Sequence, residues 1–261
     1  MRVVDVSEEH RGLFALCLED WSAEALEAGP ARGCWIERFE RRGLRAKLAL
    51  DDSGEVAGMI QYLPIEESWA DGTGLYLILC IWVHGYDEGR GDFQGRGMGT
   101  ALLEAAEADA RALGATGIAA WGIAVPFWMP AAWFEKHGYQ SADRQGVSVL
   151  LWKPFTAEAA PPRWHPDSAR LPDPVQGKVN VTAFTNGWCM SANVTTERIR
   201  RVAAEFGDQV VYREIDTSKP GAVAACGCID GVFINGEQIR TAPPPDLTTL
   251  RSEIEARLTR L

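Results

Sequence analysis

Gln94-Gly95-Arg96-Gly97-Met98-Gly99-Thr100-Ala101-Leu102-Leu103 is the stretch on which the reading of this 261-residue chain turns. It lies between an apolar run, Leu75 to Val83, and a segment in which Leu102, Ala106, Ala110 and Leu113 fall on one helical face. Glycines let a backbone turn tightly and let an anion come close, because no Cβ stands in the way. The first N–H groups of a helix lack internal partners and sit at the positive end of its dipole. Strand, glycine turn and helix in that order therefore predict a phosphate site, with a diphosphate as the natural ligand. A Walker loop is excluded, since its Gly-Lys-Ser/Thr ending is missing. Gly89-Arg90-Gly91 fits a dinucleotide fingerprint poorly, because no strand immediately precedes it.

Strands and helices alternate on either side of this turn. Upstream, Met1 to Val6 reads as a strand and Glu8 to Leu18 as a helix. Arg32 to Arg42 reads as a second helix, with Trp35, Ile36 and Phe39 at helical spacing. Arg45 to Leu50 and Val56 to Leu63 flank Asp51-Asp52-Ser53-Gly54 as a β-hairpin. Leu75 to Val83 reads as a strand buried on both faces. Downstream, the helix from about Gly99 to Leu113 is followed by a strand at Gly117 to Gly122, a helix at Ala131 to His137 and a strand at Val147 to Trp152. Composition then breaks. Residues 156 to 177 hold Pro161, Pro162, Pro166, Pro172 and Pro174, with Pro154 just upstream, and read as a linker. Beyond it come a strand with Val179, Val181 and Ala183 on one face and a helix with Ile199, Val202 and Phe206. A strand at Val210 to Ile215, a hairpin around Gly236 and a helix capped by Asp246 complete a small mixed sheet with flanking helices.

The formal charge of −10 argues against nucleic acid, whose phosphates require a clustered Lys/Arg surface. The acidity is uneven, with 14 Lys+Arg against 23 Asp+Glu up to Phe155 and 12 against 13 beyond it. An acidic first half is compatible with a cationic amine substrate, and solubility alone also accounts for it. No run approaches the roughly 20 apolar residues of a membrane span, and Glu8 and Glu9 interrupt any secretory segment, so a cytoplasmic location is expected. The cysteines are Cys17, Cys34, Cys80, Cys189, Cys226 and Cys228, spaced unlike a disulfide framework.

Residues 94 to 99 fit Gln-x-x-Gly-x-Gly throughout and resemble the acyl-CoA pyrophosphate loop of the GNAT N-acetyltransferase superfamily. Trp133-Phe134-Glu135-Lys136-His137-Gly138-Tyr139 resembles the helix-to-strand corner of the same fold. Cys80-Ile81-Trp82-Val83-His84-Gly85, Ala119-Ala120-Trp121-Gly122 and Gly187-Trp188-Cys189 resemble GNAT proteins with a YoaP-like C-terminal region. The resemblance implies an α/β (α+β) chain with a GNAT mixed central sheet over residues 1–155, the linker over 156–177 and a small YoaP-like, thioredoxin-like domain over 178–261.

It further implies acetyl-CoA as co-substrate, lying where two parallel strands splay apart; here these are Leu75 to Val83 and Gly117 to Gly122. The backbone of Ile81, Trp82 and Val83 would hold the pantetheine arm and offer an N–H to the thioester carbonyl. Gln94, Gly95, Arg96, Gly97, Met98, Gly99 and Thr100 would hold the pyrophosphate. The acceptor would be a small-molecule or peptide-like primary amine, attacking directly in a ternary complex. Its ammonium must first lose a proton, for which His84, Glu66, Glu67 and Tyr76 are candidates. A strand-end role for His84 and a solvated turn for Glu66 and Glu67 are the plain alternatives. The resemblance leaves room for a homodimer, and no metal is assigned to the acetyltransferase region.

Two departures stand out. Phe134 occupies the position where many members carry a tyrosine that protonates the leaving thiolate. Gly85 to Phe93 lengthens the connection before the loop and carries Asp87 and Glu88, which either meet a cationic substrate or are merely solvated. Trp82, Trp121, Trp128 and Trp133 fall where the family builds its pockets, as an acceptor wall or as core.

Phe184-Thr185-Asn186-Gly187-Trp188-Cys189 resembles the thioredoxin Trp-Cys-x-x-Cys approach, with Ala192 in place of the second cysteine. A helix N-terminus favours a thiolate. Cys228 falls at or near the cis-proline slot of that family, so Cys189 approaching Cys226 or Cys228 would permit a disulfide or soft-metal site; three unrelated thiols are the alternative. Two functions are thus expected to compete: an acetyl-CoA-dependent N-acetyltransferase, and a thiol- or metal-responsive CoA-binding protein without turnover.

Overall fold

The computed structural model describes residues 1–126, 128–165 and 169–261. They form two compact units, one of Met1–Asp20 with Glu37–His165 and one of Trp21–Ile36 with Pro166–Leu261. In chain order the elements are β1 (Arg2–Asp5), α1 (Glu8–Ala15), α2 (Ala23–Glu40), β2 (Arg45–Leu50), β3 (Val56–Pro64), β4 (Ala70–Asp71), β5 (Leu75–Val83), β6 (Gly85–Tyr86), β7 (Gly91–Asp92), α3 (Met98–Ala112) and β8 (Gly117–Ile123). These are followed by α4 (Ala131–Lys136), β9 (Gln140–Gln145), β10 (Ser148–Pro154), β11 (Arg163–Trp164), β12 (Val179–Thr185), α5 (Met190–Glu205), β13 (Val210–Asp216), α6 (Ala222–Cys226), β14 (Gly231–Ile234), β15 (Glu237–Ile239) and α7 (Leu247–Leu258). Among the described residues no helix is long and apolar enough to cross a membrane.

The first unit is built on a mixed sheet of order β1-β2-β3-β5-β8-β10-β9, flanked by helices. Its neighbours pair antiparallel except β5 and β8, which run parallel. The predicted strand Leu75 to Val83 is β5, central in the sheet. From α3, Leu102, Leu103, Ala106 and Ala110 pack into one core with Ile60, Tyr62, Ile78, Ile118 and Leu151. Each such leucine contributes about 1.5–3 kcal/mol of burial, so this face fixes the helix on the sheet.

β5 and β8 pair only from Leu75↔Gly117 to Ile78↔Ala120, although β5 continues to Val83 and β8 to Ile123. The cause lies on the other side of β5. Its register with β3 jumps from Gln61↔Cys80 to Tyr62↔Ile78, leaving Leu79 as an extra residue. Such a bulge bends its strand and increases its twist. Pairing with β8 stops at the same place, so the two strands diverge beyond it.

Three of the departures from the sequence reading have a plain physical reason. The helix expected at Arg32 to Arg42 begins earlier and includes Pro30. The proline removes one backbone donor, and burial of Ala25, Ala28, Arg32, Trp35 and Ile36 offsets that cost. β9 was not expected, because its sequence QSADRQ has no apolar alternation; it is the edge strand beyond β10. Within the proline-rich stretch, Arg163 and Trp164 pair with Asp71 and Ala70, and the Trp164 N–H donates to Asp143 Oδ2 at 2.9 Å. Pro166 of that stretch lies outside the described residues.

The second unit has the sheet order β13-β12-β14-β15. β12 is parallel to β13 and antiparallel to β14, which forms a hairpin with β15. The predicted alternation is observed: Val179, Val181 and Ala183 are buried with Ile199, Val202, Leu250 and Ile254 in a core of their own. Asp246 caps α7, its Oδ1 accepting from Thr249 N at 2.6 Å.

Candidate active site

Beyond Val83 the chain stays extended. His84 N–H donates to the Ala57 carbonyl and Phe93 N–H to the His84 carbonyl, both at 2.9 Å. The lengthened connection is a folded hairpin in which Gly85 and Tyr86 pair with Asp92 and Gly91. Arg90 fastens it, donating to the Leu18 carbonyl at 3.1 Å, to Asp20 Oδ2 at 2.8 Å and to Glu55 Oε2 at 3.3 Å. Asp87 and Glu88 lie exposed in its turn.

The glycine turn follows. Gly95 and Gly97 have φ of +72° and +80°, in the left-handed region that side chains disfavour, and no heavy atom lies within 4 Å of a Cβ built on either. Gly97 is the N-cap of α3, so the N–H groups of Met98, Gly99 and Thr100 open a 15-residue helix. Residues 94 to 97 are exposed. Gln94 and Arg96 shape the turn from outside: Gln94 N–H donates to Asp92 Oδ1 at 2.9 Å and Arg96 Nη2 to the Asp92 carbonyl at 2.7 Å. An exposed helix start with two left-handed glycines before it suits an anion, and a diphosphate matches its charge.

Where β5 and β8 part, Trp121 donates its indole N–H to the Leu79 carbonyl at 2.8 Å. Trp121 also packs edge-on against Trp128, with ring centroids 5.2 Å apart. On the α3 side, Trp133 approaches Gly99, whose Cβ would lie 3.4 Å from its Cζ2. His137 joins this corner, its Nε2 lying 3.1 Å from the Thr100 hydroxyl and its Nδ1 2.8 Å from the Trp133 carbonyl. Phe134 is fully buried between Trp133 and Tyr139.

The turn expected to hold the pyrophosphate lies against the end of β5 that carries Ile81, Trp82 and Val83, Gln94 Nε2 donating to the Val83 carbonyl at 3.4 Å. The proposed proton acceptors are not gathered together. Tyr76 lies on the paired part of β5, opposite Ile118, with its ring edge-on to Tyr62 at 5.9 Å, and burial raises its phenol. Glu66 is exposed, and its Oε1 accepts from Gly74 N–H at 2.8 Å; Glu67 pairs with Arg42. His84 lies eight positions beyond Tyr76, roughly 26 Å along an extended strand. It is buried, and its Nδ1 is 2.7 Å from the Gly91 carbonyl. A carbonyl only accepts, so Nδ1 carries the hydrogen and Nε2 is the basic nitrogen of the neutral ring.

Sequence reasoning missed Glu19. This half-buried carboxyl follows two residues of positive φ, Cys17 and Leu18. Burial raises its pKa, and the charge of His84 partly opposes that rise. Nothing in the local sequence marks Glu19, because the fold brings it near His84 from 65 positions away. Among the described residues no group of three or more His, Cys, Asp or Glu side chains is placed to hold a metal ion.

The family model for the acetyltransferase (GNAT) family matches residues 6–139, just over half of the chain. No curated protein matches. A GNAT acetyltransferase from Brucella melitensis, solved with acetyl-CoA, is 16% identical over 63% of this chain and 95% of its own, with a TM-score of 0.41. PaiA N-acetyltransferase from Thermoplasma acidophilum, solved with coenzyme A, is 15% identical over 59% of this chain and 100% of its own, with a TM-score of 0.43. The GNAT N-acetyltransferase YhbS from Escherichia coli, solved with CoA, is 14% identical over 63% and 89%, with a TM-score of 0.44.

Proposed function

The chain belongs to the acetyltransferase (GNAT) family and is an acetyl-CoA-dependent acyltransferase, and on that premise we propose that its acceptor is a primary amine, on a small molecule or a peptide-like chain, acetylated by direct transfer in a ternary complex. The observation that carries the reading is the exposed turn with left-handed Gly95 and Gly97 at the start of α3, beside strands that diverge after Leu79.

Acetyl-CoA, when bound, supplies an activated acyl carbon and a thiolate leaving group. The chain's own residues would do the rest. The amides from Gly95 to Thr100 hold the diphosphate, with Gln94 and Arg96 fixing the turn. The main chain of Ile81, Trp82 and Val83, on the divergent half of β5, orients the pantetheine arm and donates to the developing oxyanion. Holding amine and thioester in register supplies most of the rate gain. His84, with Nε2 as its basic nitrogen, is the favoured proton acceptor. Tyr76 and Glu66 are weaker candidates, since one is packed in the closed part of the sheet and the other caps Gly74.

On the same reading the second unit is a YoaP-like, thioredoxin-like domain. Its order β13-β12-β14-β15, with one parallel and two antiparallel pairs, supports this. The experiment is release of free CoA thiol across a panel of primary amines. Turnover with an amine supports the proposal; tight acetyl-CoA binding with no turnover favours a thiol- or metal-responsive CoA-binding protein.

A further inference from the structure

The second unit carries chemistry that acyl transfer does not use. β12 and β13 run parallel, and the antiparallel register Phe184↔Gly231 brings the chain leaving β12 beside the chain entering β14. Three connections meet at this end of the sheet, and side chains knit them together. Thr217 N–H donates to the Thr185 carbonyl at 2.9 Å, Asn186 Nδ2 to Thr217 Oγ1 at 3.5 Å, and the Thr217 hydroxyl to the Ile229 carbonyl. Trp188 donates its indole N–H to Asp230 Oδ2 at 2.5 Å, while the Cys228 thiol donates to the Asp230 carbonyl at 3.2 Å. Arg32 donates to the Trp188 carbonyl from α2. This is the carboxyl end of the parallel strands, where open α/β sheets place their sites.

Two thiols flank this knot. Cys189 follows Trp188 and is the N-cap of the 16-residue α5; Cys228 lies two residues before Asp230, and both are half-buried. Ala192 stands where a second cysteine would complete Trp-Cys-x-x-Cys, and the cysteines on the connection that enters β14 are Cys226 and Cys228. Cys228 is on the connection that Trp188 already grips through Asp230. Cys226 instead ends α6, its carbonyl accepting from Arg170 N–H at 2.7 Å.

We propose that Cys189 and Cys228 form a dithiol pair that exchanges with low-molecular-weight disulfides. The Cys189 thiolate attacks one sulfur of RSSR, the S–S bond breaks, and one thiolate leaves. The Cys228 thiolate then attacks the Cys189 sulfur of the mixed disulfide and expels the second. The two protons of the protein thiols end on two RSH molecules; RSSR is reduced, and the pair is oxidised to a Cys189–Cys228 disulfide. Asp230 is suited to take up a proton in this exchange: desolvation raises its carboxyl to about 6 despite the Trp188 hydrogen bond, making it more basic than an ordinary aspartate.

The test treats the full chain with oxidised glutathione, blocks remaining thiols by alkylation and maps the peptides. The expected product is an intramolecular Cys189–Cys228 link, two hydrogens lighter than the reduced chain. Cys226→Ser should keep the link, and Cys228→Ser should stop at a glutathionyl adduct on Cys189. A wild-type chain that stops at that adduct, a link from Cys189 to another cysteine, or a link that survives Cys228→Ser overturns the proposal.

Discussion

Trp121 donates its indole N–H to the carbonyl of Leu79 at 2.8 Å, across the point where two parallel strands part. Leu79 is the bulged residue of β5, and Trp121 is the first residue of β8 beyond the paired segment. The bulge opens the gap, and the indole satisfies the carbonyl that the opening leaves behind. Trp121→Phe keeps a ring there and removes the donor. Denaturant unfolding should show a loss of about 1–2 kcal/mol, with several-fold weaker acetyl-CoA binding. An unchanged unfolding midpoint would mark the bond as incidental.

Gly58 tests the other edge of β5. A Cβ there would lie 2.9 Å from the Trp82 carbonyl oxygen, 3.1 Å from Val83 Cγ2 and 3.2 Å from Leu102 Cδ1. Gly58→Ala should therefore displace the main chain proposed to orient the pantetheine arm, costing about 1–3 kcal/mol of stability and raising the KM for acetyl-CoA. Gly12→Ala, in α1, is the control, since no heavy atom lies within 4 Å of a Cβ built there. Equal effects from the two changes would contradict this packing account.

Phe134 stands where the family resemblance expects a proton donor. Its ring is 0% exposed, so a hydroxyl added there enters the core rather than the gap between β5 and β8. Phe134→Tyr should gain no acetylation rate and lose about 1–3 kcal/mol of stability. A rise in kcat would show that the position does reach the reacting thiolate.

The fold was legible where one physical signal dominates a segment. Leu75 to Val83 is apolar throughout and is a central strand; Gly95 and Gly97 mark a turn that requires positive φ; Asp246 is a cap by its chemistry. Elements that depend on distant partners were not legible. β9 is polar because it is an edge, and α2 passes Pro30 because burial on either side of it compensates. The site was legible as a loop and a strand end, since both are local. His84 with Glu19, and Trp121 with Leu79, are pairs that only the fold creates.

Asp230 gives a pH-dependent prediction. An aspartate in an unfolded chain titrates near ~3.9, whereas desolvation moves Asp230 to about 6 in the folded chain. Between these values the folded state binds more protons than the unfolded one. Its stability therefore falls as pH rises from about 4 to about 6, and stays at the lower level above that. Asp230→Asn retains an acceptor for Trp188 and removes this loss. The variant should match wild type near about pH 3.5 and exceed it near about pH 8 by up to ~3 kcal/mol. A stability difference independent of pH would contradict the raised carboxyl.

The central claim is that main-chain amides at the start of α3 receive the diphosphate of acetyl-CoA. Isothermal calorimetry of wild type and Gly97→Asp against acetyl-CoA tests it most directly. Wild type should bind, and the variant should lose at least ~1.4 kcal/mol, about tenfold in Kd, because it places both a Cβ and a negative charge at a helix start with a φ of +80°. Identical isotherms for the two proteins, or no binding by wild type at about millimolar ligand, a Kd limit equivalent to ~4 kcal/mol, would contradict it.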